Sequence, residues 1–198
     1  MAQEGADIIG IDFFGKLESV VYPMSKPEDL EETVRLVEAT GKRIATYEAD
    51  VRDVEALQKA YDAGVAELGA VTIVVANAGI GPSGAASAQT QWDEVLAVNL
   101  TGVWNTGRVS IPAMVENGKG GSIILTSSTG GITGSPSDVA GMLGYTAAKH
   151  GVIGLMRSWA NFLAPHSIRI NSVAPTTVRT PMANNGDISL ILQHVPEL

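Results

Sequence analysis

The chain has 198 residues, of which 45% are hydrophobic, enough for one domain with a sizeable core. Thirteen Lys and Arg against 21 Asp and Glu leave a formal charge of −8, which argues against a nucleic-acid or anionic-membrane partner, since both need a basic face. The lack of cysteine excludes a disulfide framework, a thiolate metal site and a Cys nucleophile.

Apolar runs of strand length alternate with amphipathic stretches of helix length. Residues 6–12 read as a buried strand ending in the acid Asp12. Residues 27–39 read as a helix. Pro27 suits its first turn, Glu28 and Asp29 suit the positive end of its dipole, and Leu30, Val34 and Val37 form its apolar stripe. Residues 44–49 are a second strand. Asp53 then caps a helix with Val54, Leu57, Tyr61, Val65 and Leu68 on one face, stopped by Gly69. Residues 71–76 are a third strand, continuously apolar, as a strand covered on both faces should be. A long helix is expected over about 92–116, a strand over 122–126, a helix over 144–163 and a strand over 168–174.

This alternation predicts an α/β fold: a three-layer, doubly wound parallel sheet with helices on its faces. In such sheets ligands sit beyond the carboxyl ends of the strands. The residues there are Asp12, Asp50, 77–81, 127–131 and 175–180.

Two glycine patterns imitate phosphate loops. Gly79-Ile80-Gly81-Pro82-Ser83-Gly84 follows a strand, but Pro82 removes an N–H that a phosphate would need, and no helix clearly opens there. Thr129-Gly130-Gly131-Ile132-Thr133-Gly134 begins like another, but Pro136 stands where a last glycine is wanted. There is no Walker A lysine pattern and no G-x-S-x-G elbow. His150, His166 and His194 are too scattered to suggest a metal site, so none is expected. No apolar run reaches the ~18 residues of a membrane span. Met1-Ala2-Gln3-Glu4-Gly5 lacks the blocks of a signal peptide, so a cytoplasmic protein with no membrane or nucleic-acid partner is expected.

The strongest signal is Tyr145-Thr146-Ala147-Ala148-Lys149. Residues four apart share a helix face. An ammonium beside a phenol favours the phenolate, which makes the phenol a usable acid or base. The strand ending Thr126-Ser127-Ser128 lies upstream, Asn77-Ala78-Gly79 follows the third strand, and Asn99 lies in the following helix.

With Asp50-Val51 and Asn171-Ser172-Val173-Ala174-Pro175 leading to Thr180-Pro181-Met182, the ordered set resembles the short-chain dehydrogenase/reductase family from Gly5 to about Met182. The long segment 12–27 and Ala147-Ala148-Lys149-His150-Gly151 resemble its actinobacterial carveol-dehydrogenase-like subgroup, which is associated with mycofactocin.

The resemblance implies a single dinucleotide-binding oxidoreductase domain over 1–198. It would interconvert a secondary alcohol and a ketone with NAD(H) by hydride transfer. Tyr145 would be the general acid/base. Lys149 would support it and bind the nicotinamide ribose. Ser128, with Ser127 as competitor, would hold the substrate oxygen, and Asn99 would hold a water reaching Lys149. Asp12 would bind the adenosine ribose and repel a 2′-phosphate, favouring NAD over NADP; Lys16 lies nearby. Asp50 and Val51 would contact adenine. Asn77, Ala78 and Gly79 would line the cofactor beside the ribose, and Pro175, Val178 and Thr180 would border the nicotinamide. Thr176 replaces the glycine usual after that proline. A homo-oligomer, a tetramer, is expected around helices 92–116 and 144–163.

Two departures stand out. Ser128 and Tyr145 are 17 positions apart, a longer gap than is usual in the family, which puts a loop rich in Gly, Ser and Pro at the rim of the substrate pocket. The family's first strand, its Gly-rich loop and its C-terminal part are also missing from this sequence, so the strand at Ile8 has no partner linking it to the strand at Ile73. The resemblance thus implies an incomplete domain, a piece of a longer polypeptide. Rival readings are an NADPH-dependent 3-oxoacyl or keto-reductase, and a catalytically idle dinucleotide-binding subunit kept for its oligomer surface.

Overall fold

The computed structural model describes residues 1–81 and 86–182. Pro82, Ser83 and Gly84 of the first glycine pattern, and the residues after Met182, lie outside the described part. In chain order the elements are β1 (Ile8–Asp12), α1 (Pro27–Glu38), β2 (Ile44–Glu48), α2 (Val54–Leu68), β3 (Ile73–Ala76), α3 (Ala88–Leu96), a π-helical turn (Ala97–Gly102), α4 (Val103–Asn117), β4 (Gly121–Thr126), α5 (Ala140–Leu163) and β5 (Ile168–Val173).

Local chemistry sets the helix starts as expected. Asp53 accepts hydrogen bonds from the amides of Glu55 and Ala56, both at 3.0 Å, and so satisfies two donors that a helix start leaves open. Asp29 accepts the amide of Lys26 at 3.0 Å, just before Pro27. Leu30, Val34 and Val37 are the half-buried positions of an otherwise exposed α1.

All strand pairs are parallel, as the doubly wound class requires. β1 pairs β2 from Ile8 opposite Ile44 to Asp12 opposite Glu48. β4 pairs β3 on one side, with Ile73 opposite Ser122, and β5 on the other, with Gly121 opposite Ile168. The strands form two sheets, β1-β2 and β3-β4-β5, and among the described residues no strand joins β1 to β3. This gap was expected from the sequence. The sheets are joined by packing of α2 on α4, where Leu57, Tyr61 and Val109 are buried against Ile11, and by the segment after β1, whose Leu17 packs with Ile80, Val95 and Val98.

The main core lies between the three-stranded sheet and helices α4 and α5. Met114, Ile123, Leu125, Val152 and Leu163 are all at or below 1% exposure there. Each such side chain stabilises the fold by roughly 1.5–3 kcal/mol through its burial.

Three expectations need correction. β3 is not covered on both faces: Val74 and Ala76 are buried, but Ile73 and Val75 are 45% and 41% exposed. Successive side chains of a strand point to opposite faces, and among the described residues only one face of this sheet carries helices. The helix expected from Trp92 begins at Ala88, capped by the Ser87 hydroxyl, and widens into a π turn at Ala97–Gly102. The helix expected from Gly144 begins at Ala140, so Gly141 and Gly144 are helical and buried rather than part of the rim.

Candidate active site

Parallel strands put all their carboxyl ends on one edge, and the residues singled out follow those ends. Tyr145 and Lys149 lie one turn apart on α5. The Lys149 ammonium stands 5.6 Å from the centre of the Tyr145 ring. It is 4% exposed and donates to the main-chain oxygen of Thr126 at 2.8 Å. Burial pulls its pKa down to about 8. The phenol and the ammonium are therefore neighbours, as the four-residue spacing requires.

Strand alternation separates the two serines. Ser127 is 2% exposed and donates its hydroxyl to the main-chain oxygen of Lys149 at 2.9 Å. Ser128 is half-buried, and its hydroxyl accepts the Gly130 amide at 3.1 Å. A Cβ at Gly130 would lie 3.5 Å from Cε1 of Tyr145 and 3.6 Å from Oγ of Ser128, so ring and hydroxyl border the same small space. The structure thus puts Ser128 beside Tyr145 and uses Ser127 to tie β4 to α5.

Asn99 is fully buried in the π turn. Its Oδ1 accepts the Ile80 amide and its Nδ2 donates to the Ile80 carbonyl, both at 2.8 Å. The loop after β3 is thus stitched to the helix. A Cβ at Gly79 would lie 3.1 Å from Oδ1 of Asn99 and 3.5 Å from Nζ of Lys149, which brings Gly79, Asn99 and Lys149 to one point. Asn77 and Ala78 are exposed, with Oδ1 of Asn77 accepting the Thr126 hydroxyl at 3.1 Å.

Asp12 is exposed at the end of β1, and one of its carboxylate oxygens accepts the next amide, Phe13, at 2.7 Å. Asp50 is paired with Arg52, whose Nε donates to its two oxygens at 3.0 and 2.8 Å. Burial pushes the Asp50 carboxyl up, but the Arg52 guanidinium outweighs this and holds it below the usual carboxylate range. Val51 gives its carbonyl to Nδ2 of Asn105 at 2.8 Å. The Pro175 carbonyl accepts the Thr129 amide at 3.1 Å, which holds the chain after β5 to the Ser128 turn. Val178 is 55% exposed and Thr180 is exposed, its hydroxyl directed to the Val178 carbonyl at 3.4 Å.

Sequence reasoning did not find Tyr22 or the Thr126 carbonyl. Tyr22 is 8% exposed, and its hydroxyl accepts the Gly81 amide at 2.8 Å across a separation of 59 residues. A main-chain acceptor such as Thr126 leaves no trace in residue type. Among the described residues no group of acids and histidines could hold a metal. No helix among them is long and apolar enough to cross a membrane.

A parallel α/β sheet flanked by helices, with ligand-facing residues at the carboxyl edge of its strands, is the Rossmann-like class of fold. The sequence matches the short chain dehydrogenase family over residues 16–188, and the chain belongs to that family. An uncharacterized oxidoreductase of Mycobacterium tuberculosis (strain CDC 1551 / Oshkosh) is 51% identical over 185 residues, 93% of this chain and 67% of that protein. The (-)-trans-carveol dehydrogenase of Rhodococcus erythropolis is 43% identical over 188 residues, 93% of this chain and 66% of that protein. The crystal structure of carveol dehydrogenase from Mycobacterium avium in complex with NAD is 48% identical, with a TM-score of 0.90 over 99% of this chain and 70% of that one. The chain thus spans about two thirds of the length of the relatives it matches.

Proposed function

We propose that the protein is an NAD(H)-dependent oxidoreductase that interconverts a secondary alcohol and a ketone, with Tyr145 as general acid/base. The observation that carries this is the opening at Gly130, bordered by both the Tyr145 ring and the Ser128 hydroxyl, with the Lys149 ammonium behind the ring. The NAD-bound relative supports the choice of cofactor.

The described residues fit the two ends of such a dinucleotide. The exposed Asp12 carboxylate can accept ribose hydroxyls at the adenosine end and would meet a 2′-phosphate with like charge. Asp50 and Val51 flank the adenine position, with Asp50 fixed by Arg52. Exposed Asn77 and Ala78, and Gly79 with no side chain to block the space, leave room at the ribose beside Lys149. Pro175, Val178 and Thr180 border the nicotinamide end.

NAD, when bound, supplies or accepts the hydride. The chain's own residues handle the oxygen. Ser128 donates its hydroxyl to the substrate oxygen and holds it against Tyr145, a preorganised contact of the kind that favours developing negative charge. Tyr145 removes the hydroxyl proton in oxidation and returns it in reduction. Lys149, buried and fixed on the Thr126 carbonyl, stands beside the phenol ring, where its ammonium can meet negative charge that develops on the oxygen. Asn99 holds the loop that lines this space and carries the water that leads from Lys149 outward. The substrate is an apolar, terpenoid-like alcohol, and the working unit is a homotetramer.

The test is turnover of a panel of cyclic secondary alcohols with NAD, followed by NADH absorbance, for the full-length protein and Tyr145→Phe. Loss of the acid/base should lower turnover about 10²- to 10⁴-fold while NAD binding persists. Undiminished turnover in the Phe variant sinks the assignment.

A further inference from the structure

The segment between β1 and α1, residues 13–26, is longer than a strand-to-helix turn requires, yet it is packed rather than loose. Leu17, Ser19 and Tyr22 are all below 9% exposure. Two fasteners hold it. On α3, the Glu94 carboxylate accepts the Ser19 hydroxyl at 2.6 Å, the Ser19 amide at 2.9 Å and the Glu18 amide at 3.3 Å. At the other end, the Tyr22 hydroxyl accepts the amide of the buried Gly81. Gly81 directly follows Ile80, whose two main-chain groups are both held by Asn99. The loop 77–81 is therefore gripped from two sides, by the π turn through Asn99 and by segment 13–26 through Tyr22. Leu17, Ile80, Val95, Val98 and Tyr145 share one apolar cluster, so the second grip closes against the candidate catalytic tyrosine itself.

We propose that Tyr22 is a positioning residue: its hydroxyl fixes the Gly81 amide and so sets the loop 77–81 that faces the cofactor. The role of that loop in cofactor binding rests on the reading given under Proposed function. The chemistry requires an oxygen at this position. A phenylalanine would fill the same apolar space but leave a buried N–H without an acceptor. Burial pushes the Tyr22 phenol up, the Gly81 amide opposes this, and nearby Tyr145 adds to the rise. Tyr22 thus stays neutral and accepts the amide without placing a charge beside Tyr145. The same logic gives Glu94 its place, since it holds down the near end of the segment that carries Tyr22.

The test is amide hydrogen exchange, read by NMR on the full-length protein, together with direct NAD binding by equilibrium dialysis. In Tyr22→Phe, exchange at Gly81 should quicken about tenfold or more relative to Ile80, whose amide Asn99 still holds. NAD should bind several-fold more weakly, and in turnover KM for NAD should rise by more than kcat falls. Unchanged exchange at Gly81, or equal quickening at Gly81 and throughout β4, overturns the proposal. Should Tyr22→Phe fail to fold, Glu94→Gln carries the test. It weakens the other fastener, so Gly81 should quicken while β4 amides hold, and an unmoved Gly81 again overturns the proposal. Failure of the dehydrogenase reading shows separately, as a parent protein that neither binds NAD nor turns over alcohols, and the exchange at Gly81 still decides whether Tyr22 sets the loop.

Discussion

The Ser127 hydroxyl donates to the main-chain oxygen of Lys149 at 2.9 Å, and this bond fastens the end of β4 to the middle of α5. The space around it is full: a Cβ at Gly131 would lie 2.5 Å from Oγ of Ser127 and 2.7 Å from the Lys149 carbonyl. Adjacent serines therefore have unlike tasks. Ser127→Ala should cost about 1 kcal/mol, because it removes a buried hydrogen bond that ties β4 to α5, while the Lys149 carbonyl keeps its partner within the helix. Ser128→Ala should leave stability nearly unchanged and lower turnover about 10²- to 10³-fold, the usual effect of removing one donor to a developing oxyanion. Urea denaturation and steady-state rates on the two variants check this; the reverse pattern would reassign the serines.

Lys149 gives a pH prediction with a definite sign. Its pKa in the fold is about 8, against an ordinary 10.5. Between those values the unfolded chain binds more protons than the folded one, so stability should rise as pH increases through that window. Lys149→Met should flatten this rise and abolish turnover at every pH. Denaturation midpoints measured at intervals from neutral to alkaline pH, for parent and variant, would show it.

Gly79 tests the seat beside the ribose. An alanine methyl there would crowd Oδ1 of Asn99 at 3.1 Å and approach Nζ of Lys149 at 3.5 Å. Gly79→Ala should therefore weaken NAD binding several-fold and lower turnover, with a stability loss of only about 1 kcal/mol. Calorimetric titration with NAD is the check, and unchanged affinity would move the cofactor away from this loop.

Glu94 should act on the acid side. Burial raises its pKa, but the three hydrogen bonds from Ser19 and Glu18 outweigh that and lower it overall. Its stabilisation is thus present above the ordinary carboxylate pKa of 4.5 and lost as pH falls through the lower folded value. Glu94→Ala should cost about 1 kcal/mol near neutral pH, a figure kept small because the carboxylate is partly exposed. Thermal melts at neutral and acidic pH should show the parent and variant converging as pH falls.

Much of the architecture could be read from residue patterns. Period and punctuation located the five strands among the described residues and both ends of α2, because Asp53, Gly69 and the β-branched runs act locally. The open face of β3 could not be read, since Ile73 and Val75 look the same whether or not a helix covers them. The start of α5 at Ala140 was hidden by Gly141 and Gly144, which tertiary packing holds in a helix against their propensity. Within the site, the pairing of Tyr145 with Lys149 follows from helical spacing alone. The separate tasks of Ser127 and Ser128, and the reach of Tyr22 to Gly81, depend on long-range folding and so had no local signature.

The π turn at Ala97–Gly102 also fixes the rotational phase of one helix against the other. A π turn is equivalent to one extra residue in a helix, and one residue is about 100° of rotation. α3 packs on α5 while α4 packs on α2, so the two halves of this long rod present different faces to different neighbours. Deleting one residue there would restore an unbroken ladder of hydrogen bonds, yet it would swing Val109 and Met114 out of the interior and turn Asn99 away from Ile80. The number of residues between Leu96 and Val103 is thus as much a part of the site as their identity.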